Sequence, residues 1–161
     1  MLCIGLFGTC GGSSWRTAFI EAYQKLGIEH YNPQVEDWRP ELAQIEAEHL
    51  LNDEIILFPV TDETYGTGSL AETGFSILQT VNSSENRSVV ILIHKDVKEE
   101  LKIANPALAK ESMRSRALVN AHLSKIKKNN VYIVDTLEDM LNVSLKLYEV
   151  HSILRELKLK S

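Results

Sequence analysis

The run Asp62-Glu63-Thr64-Tyr65-Gly66-Thr67-Gly68-Ser69-Leu70-Ala71-Glu72-Thr73-Gly74 places a carboxylate, Glu72, just behind a glycine-rich turn that leaves an apolar strand. The strand, Ile55-Ile56-Leu57-Phe58-Pro59-Val60, is a continuous apolar run of the kind buried on both faces of a parallel sheet, and Pro59 fits only near its end or at an edge. After the turn, Leu70, Gly74, Ile77 and Leu78 recur at helical spacing, so Glu72 is expected in the first turn of a helix. Free backbone N–H groups and the positive end of the helix dipole lie there, a setting that holds an anion or a developing negative charge. A plainer role is open to the same residues, because Ser69-x-x-Glu72 is also a capping box.

Other residue types with chemical potential cluster in two further loops. Gly8-Thr9-Cys10-Gly11-Gly12-Ser13-Ser14 is neither a dinucleotide fingerprint nor a P-loop, since the glycine spacing differs and no lysine follows. It remains a loop of small residues whose Thr9, Ser13 and Ser14 hydroxyls suit a sugar or one phosphate, or whose serines merely cap the next helix. In the second loop, Asp37 and Trp38 combine a carboxylate with a flat aromatic face, as a nucleobase site does; covering the sheet edge is the alternative for Trp38.

Cys3 and Cys10 form neither a disulfide framework nor a metal pattern; Cys3 reads as a core residue and Cys10 as an exposed, oxidisable one. The five histidines, at positions 30, 49, 94, 122 and 151, show no ligand spacing, so no metal site is expected. Arg116 and Asn120 lie four apart on one face of a late helix, which is expected to be solvated, with a subunit contact or a neighbour's site as the alternative.

The elements that must position these residues alternate along the chain. Strands are expected at 3–7, 28–31, 55–60, 89–93 and 131–134. A helix with the stripe Trp15, Ala18, Phe19, Ala22, Tyr23 and Leu26 ends at the cap Gly27. Further helices are expected at 41–52, through Glu72 to about 81, at 107–128, and from Thr136 nearly to the end. Alternation of this kind predicts an α/β fold with a parallel sheet wrapped by helices on both faces. With five strands, a flavodoxin-like order 2-1-3-4-5 follows, and the loops after the first and third strands meet across one cleft.

The 161 residues, 44% hydrophobic, make one domain, 1–161, with a substantial core. A net charge of -5 and a pI near 5.5 speak against a nucleic-acid polymer as partner, and Lys125-Ile126-Lys127-Lys128 reads as a solvated helix end. The beginning carries no basic leader or membrane span, so a cytoplasmic protein without membrane contact is the expectation.

With these residues in place, the chain resembles the nucleoside 2-deoxyribosyltransferase family, in its divergent deoxyribosyltransferase-like branch. The resemblance rests on Phe7-Gly8-Thr9-Cys10-Gly11-Gly12-Ser13-Ser14-Trp15-Arg16, on Tyr31-Asn32-Pro33 with Asp37-Trp38, and on the segment from Leu57 through Glu72 to Phe75. It covers the first half well and the order of elements throughout. What it implies is a salvage enzyme without cofactor. Glu72 would attack the anomeric carbon of a 2′-deoxynucleoside, and the sugar would pass to an acceptor base through a covalent intermediate. Asp62 would serve as the acid or positioning carboxylate, and Gly8, Thr9, Cys10, Ser13, Asp37, Trp38, Thr67, Gly68 and Ser69 would bind substrate. A homo-oligomer, dimer or higher, is implied as well, with Asn120 completing a neighbour's pocket.

Two departures from the better-known members stand out. Gly66 occupies the place of their carboxylate six residues before the nucleophile, and Phe7 that of their tyrosine near the end of the first strand. Relatives with the same nucleophile hydrolyse nucleoside 5′-monophosphates, so an N-glycosidase is the alternative expectation. A nucleotide-sensing module without chemistry is the alternative of another class.

Overall fold

In the computed structural model, which describes residues 2–37, 39–82 and 87–159, the elements follow one another in the expected alternation. The strands are β1 (Ile4–Leu6), β2 (His30–Tyr31), β3 (Ile55–Val60), β4 (Ser88–Ile93) and β5 (Val131–Ile133). The helices are α1 (Arg16–Leu26), α2 (Pro40–Asn52), α3 (Thr67–Asn82), α4 (Glu99–Ala104), α5 (Pro106–Leu123) and α6 (Leu137–Leu159). All strand pairs are parallel and the order is β2-β1-β3-β4-β5, the flavodoxin-like arrangement. Among the described residues no helix is long and apolar enough to cross a membrane.

The two faces of the sheet divide the core as strand alternation requires. Ile4, Leu6, Ile55, Leu57, Val90 and Leu92 pack with Trp15, Phe19 and Tyr23 of the α1 region and Met140 and Leu147 of α6. The alternate residues Ile56, Phe58, Val60, Val89 and Ile91 pack with Leu70 of α3 and Leu123 of α5. Gly27 ends α1 in a left-handed conformation (φ 65°), as its place behind Leu26 predicts. The irregular segment before Pro106 contains the short helix α4, and the helix after it stops at Leu123, short of the expected 128.

Pro59 shows how β3 is built to carry a site. The register of β1 on β3 ends at Leu6 opposite Leu57, so Pro59, which has no N–H, lies beyond the β1 ladder while still paired with Leu92 of β4. Its carbonyl takes the Thr9 amide at 2.9 Å and the Thr9 hydroxyl at 3.1 Å. Gly8 makes this approach possible: its φ is +87°, and a Cβ there would lie 2.3 Å from the Pro59 oxygen.

Arg116 corrects the expectation of a solvated helix face. It is completely buried, and its guanidinium donates to the carbonyls of Val60 (3.0 Å), Thr61 (2.9 Å), Thr64 (2.9 Å) and His94 (3.0 Å). Its Nε donates to Ser112 Oγ, whose own hydroxyl donates to the Tyr65 carbonyl. The carboxyl ends of β3 and β4 and the turn into α3 are thereby tied to α5. Replacing Arg116 by Met would strand those acceptors, each costing about 1–3 kcal/mol when buried and unpaired, partly offset by the relieved desolvation of the charge. We expect Arg116→Met to lower unfolding stability by about 3 kcal/mol or more, read from the urea midpoint; an unchanged midpoint would contradict the role.

Candidate active site

At the carboxyl ends of β1 and β3, where the winding of the sheet reverses, a cavity of about 450 Å³ opens to solvent. It is lined by Gly8, Cys10, Gly11 and Gly12 from the first loop, Pro33, Gln34 and Val35 after β2, Glu46 of α2, and Gly68, Ser69 and Glu72 of α3. Its volume falls within the roughly 300–1,000 Å³ of small-molecule sites. A second hollow of about 540 Å³ between α3 and α5 is lined by apolar side chains such as Ile77, Leu78 and Val119, together with His122 and lysines; it brings no carboxylate and no glycine loop to bear.

Five of the residues singled out in the sequence, Gly8, Cys10, Gly68, Ser69 and Glu72, thus meet in one place. Glu72 sits in the second turn of α3 and not the first, because the helix already begins at Thr67. The capping-box reading falls with that shift. Gly66, at φ +63°, accepts the Leu70 amide and precedes the helix, so Ser69 is its third residue and has no cap to make. The amides of Gly68 and Ser69, in the first turn, have no intrahelical acceptor and belong to two residues lining the cavity. A side chain at 66 would press on Val60 Cγ1 at 2.7 Å and Arg116 Nη2 at 3.1 Å, so no carboxylate fits there.

The remaining described sequence candidates do not line the cavity. Thr9 is buried: besides Pro59, its hydroxyl takes the Thr61 amide at 3.0 Å and its carbonyl takes Trp15 Nε1 at 3.0 Å. Asp62 turns to the opposite side of the loop, where His94 Nδ1 lies 3.4 Å from its carboxylate and accepts its amide at 3.1 Å. Asp37 is exposed, 4.0 Å from Arg39 Nε, and Thr67 is exposed at the start of α3. Asn120, half-buried on α5, donates to the Ile93 carbonyl at 3.5 Å. Trp38 lies outside the described residues.

Ser13 faces another partner. Its hydroxyl donates to Glu63, and the same carboxylate takes the Ser14 hydroxyl at 3.2 Å, the Ser14 amide at 3.5 Å and the Thr61 hydroxyl at 3.2 Å. Neither serine caps α1 through its side chain. Burial pushes the Glu63 carboxyl up, but the hydrogen bonds from Ser13, Ser14 and Thr61 outweigh it and hold the group below its ordinary range. The anion place at the first loop is therefore filled by the protein's own glutamate.

Arg16 shapes the rest of that loop. Buried beneath it, the guanidinium donates to the carbonyls of Leu6 (2.8 Å), Phe7 (3.2 Å) and Thr9 (2.6 Å), to Cys10 Sγ (3.2 Å) and to Gln34 Oε1 (3.3 Å). Burial raises the Cys10 thiol, and Arg16 only partly offsets this, so an exposed cysteine in the cavity wall stays protonated.

Glu46 lines the cavity although the sequence did not single it out. It shares the inward face of α2 with Leu42 and Leu50, four residues to either side, and a charge on an otherwise apolar stripe was the available signal. Burial raises its carboxyl above the ordinary range, with Arg16 pulling the other way. Glu72 is raised too, by desolvation first and then by the negative charge of Glu46. Two carboxyls face one cavity, both held above the ordinary range, and the charge of Glu46 contributes to the shift of Glu72.

A raised carboxylate costs stability when it ionises. The penalty is absent below the unfolded-state value near 4.5 and develops as pH rises through the higher folded value. Glu72→Gln removes it, so the variant is expected to melt above wild type at pH 7, with the difference closing in acid. Equal melting temperatures at pH 7 would contradict the coupling.

Compared with family models, curated proteins and solved structures, the chain has no significant match.

Proposed function

We propose that this protein cleaves the N-glycosidic bond of a 2′-deoxynucleoside and transfers the sugar to another base, with Glu72 as nucleophile and Glu46 as acid and base. The observation that carries the reading is the pair of carboxylates in one cleft walled by glycine-rich backbone. In this reading Glu72, the more exposed of the two, attacks the sugar, and Glu46, half-buried on α2, exchanges a proton with the base.

In the first half-reaction the Glu72 carboxylate bonds to the anomeric carbon as the bond from that carbon to the base nitrogen breaks, and Glu46 gives its proton to the leaving base. In the second, the nitrogen of the incoming base attacks the anomeric carbon, the glycosyl ester to Glu72 breaks, and Glu46 takes up the proton that the base loses. The glycines at 8, 11 and 12 put no side chain in the way of the sugar, and the Gly68 and Ser69 amides supply donors for its hydroxyls. In this reading Glu46, which lines the cavity, takes the part that the family resemblance implied for Asp62, which does not.

Glu63 favours an unphosphorylated substrate. Its carboxylate already holds the serine donors that would have suited a 5′-phosphate, and a second anion there would meet its charge. The solvent-open position of Glu72 favours water as a competing acceptor, so N-glycoside hydrolysis is the second reading.

Chromatography of wild type, Glu72→Gln and Glu46→Gln with a panel of deoxynucleosides and a free acceptor base tests the roles separately. We expect new deoxynucleoside from wild type, a loss of roughly a thousandfold or more in Glu72→Gln, and about 10²–10⁴-fold in Glu46→Gln with the alkaline limb of the pH profile gone. Turnover unaffected by Glu72→Gln would overturn the proposal.

A further inference from the structure

At the opposite, amino end of the sheet, three side chains of different chemistry converge. Cys3 lies just before β1, His49 in the last turn of α2, and Asp53 at that helix's carboxyl cap; one ligand atom from each lies within 4.8 Å of the others. His49 Nδ1 is 3.0 Å from one Asp53 oxygen and 3.2 Å from the other. We propose that Cys3, His49 and Asp53 bind a divalent transition-metal cation of the zinc type, one that accepts thiolate, imidazole and carboxylate together.

The surroundings are built for such a centre. The His49 ring is held by stacking on Tyr31, centroid to centroid 3.6 Å with the planes 4° apart, which fixes the direction of its nitrogens. Gly5 makes room for the carboxylate: a Cβ at that position would lie 2.8 Å from Asp53 Oδ2. A cavity of about 360 Å³ lined by Cys3, His49 and Asp53 also carries Glu29 and Glu48, leaving an open side for a water ligand and a negative field for a cation.

The position gives the cation something to hold. No residue of α2 is buried, so the helix has little apolar anchorage and relies on polar ties at its end, including Arg87 donating to the Leu50 and Asp53 carbonyls. A metal joining Cys3 to His49 and Asp53 fixes α2 to β1, and Glu46 stands one turn before His49. On binding, a metal–sulfur bond forms and the Cys3 proton leaves to the buffer; Asp53 and His49 donate lone pairs. Histidine spacing does not reveal the site, because its donors are one His near the end of α2, the Asp that caps that helix, and the sulfur of the residue before β1.

The test is to strip the full chain with a chelator, add Zn2+ or Co2+ alone, desalt, and measure retained metal and the Co2+ spectrum beside Cys3→Ser and His49→Gln, with circular dichroism confirming that each variant folds. Expected are stoichiometric Zn2+ retention, proton release on binding, a raised melting temperature, and a thiolate-to-Co2+ charge-transfer band lost in Cys3→Ser. Affinity should fall by more than roughly tenfold in either folded variant, since even outer-shell partners carry that much. Failure of wild type to retain metal, or a band and affinity that persist in Cys3→Ser or His49→Gln, would overturn the site. Because His49→Gln retains the sulfur and lies on a partly exposed helix face, a folding failure of Cys3→Ser alone leaves the test decisive.

Discussion

Carbonyls at the carboxyl ends of parallel strands have lone pairs left over when the ladder stops, and in this protein two buried guanidiniums meet them. Arg116 collects four such groups around the exit of β3, while Arg16 collects three around the exit of β1. A guanidinium is suited to the task because its five donors form a rigid fork and it keeps its charge. Each arginine comes from a helix packed on a different face of the sheet, so the two loops that border the cleft are fixed from both sides. Without this, a glycine-rich loop and a turn through Gly66 would have little to define their shape.

That constraint decides what the cleft can do. Rigid loops allow backbone with no side chain, at Gly8, Gly11 and Gly12, to face α3 across an open volume, with Glu72 and Glu46 projecting into it. Arg16 also reaches Gln34 and moderates the Glu46 carboxyl, so one buried charge acts on loop geometry and on site electrostatics. The serine donors of the first loop are satisfied internally by Glu63, which ties the two loops together and makes their junction acidic. The cleft therefore joins two carboxyls held above their ordinary range, Glu46 and Glu72, to a neighbouring loop whose serine donors are turned inward.

Strand positions, sheet order and the Glu72 helix were legible in the sequence because apolar periodicity and turn residues are local signals. Strands buried on both faces read as unbroken apolar runs, and Gly27 marked its helix end without ambiguity. What escaped was set by long-range partners. Arg116 looked like any charged helix residue, since nothing near it in sequence tells that four carbonyls from other elements await it. Glu63 and Asp62 are neighbours, and only the fold decides that one turns to the serines and the other to His94. Ser69 and Glu72 matched a capping pattern, but the helix started earlier because Gly66 could take the left-handed turn. Glu46 was read as helical without a role, although its place between Leu42 and Leu50 was a signal within reach.

The central claim, that Glu72 bonds to the sugar, is tested most directly by mass spectrometry of the protein itself. Wild type mixed with 2′-deoxynucleosides without acceptor base, quenched in acid and digested, should carry one deoxyribosyl group on the peptide containing Glu72, and the label should disappear when a free base is added before the quench. New deoxynucleoside formed while the sugar is found on another residue, or on none, would contradict the account.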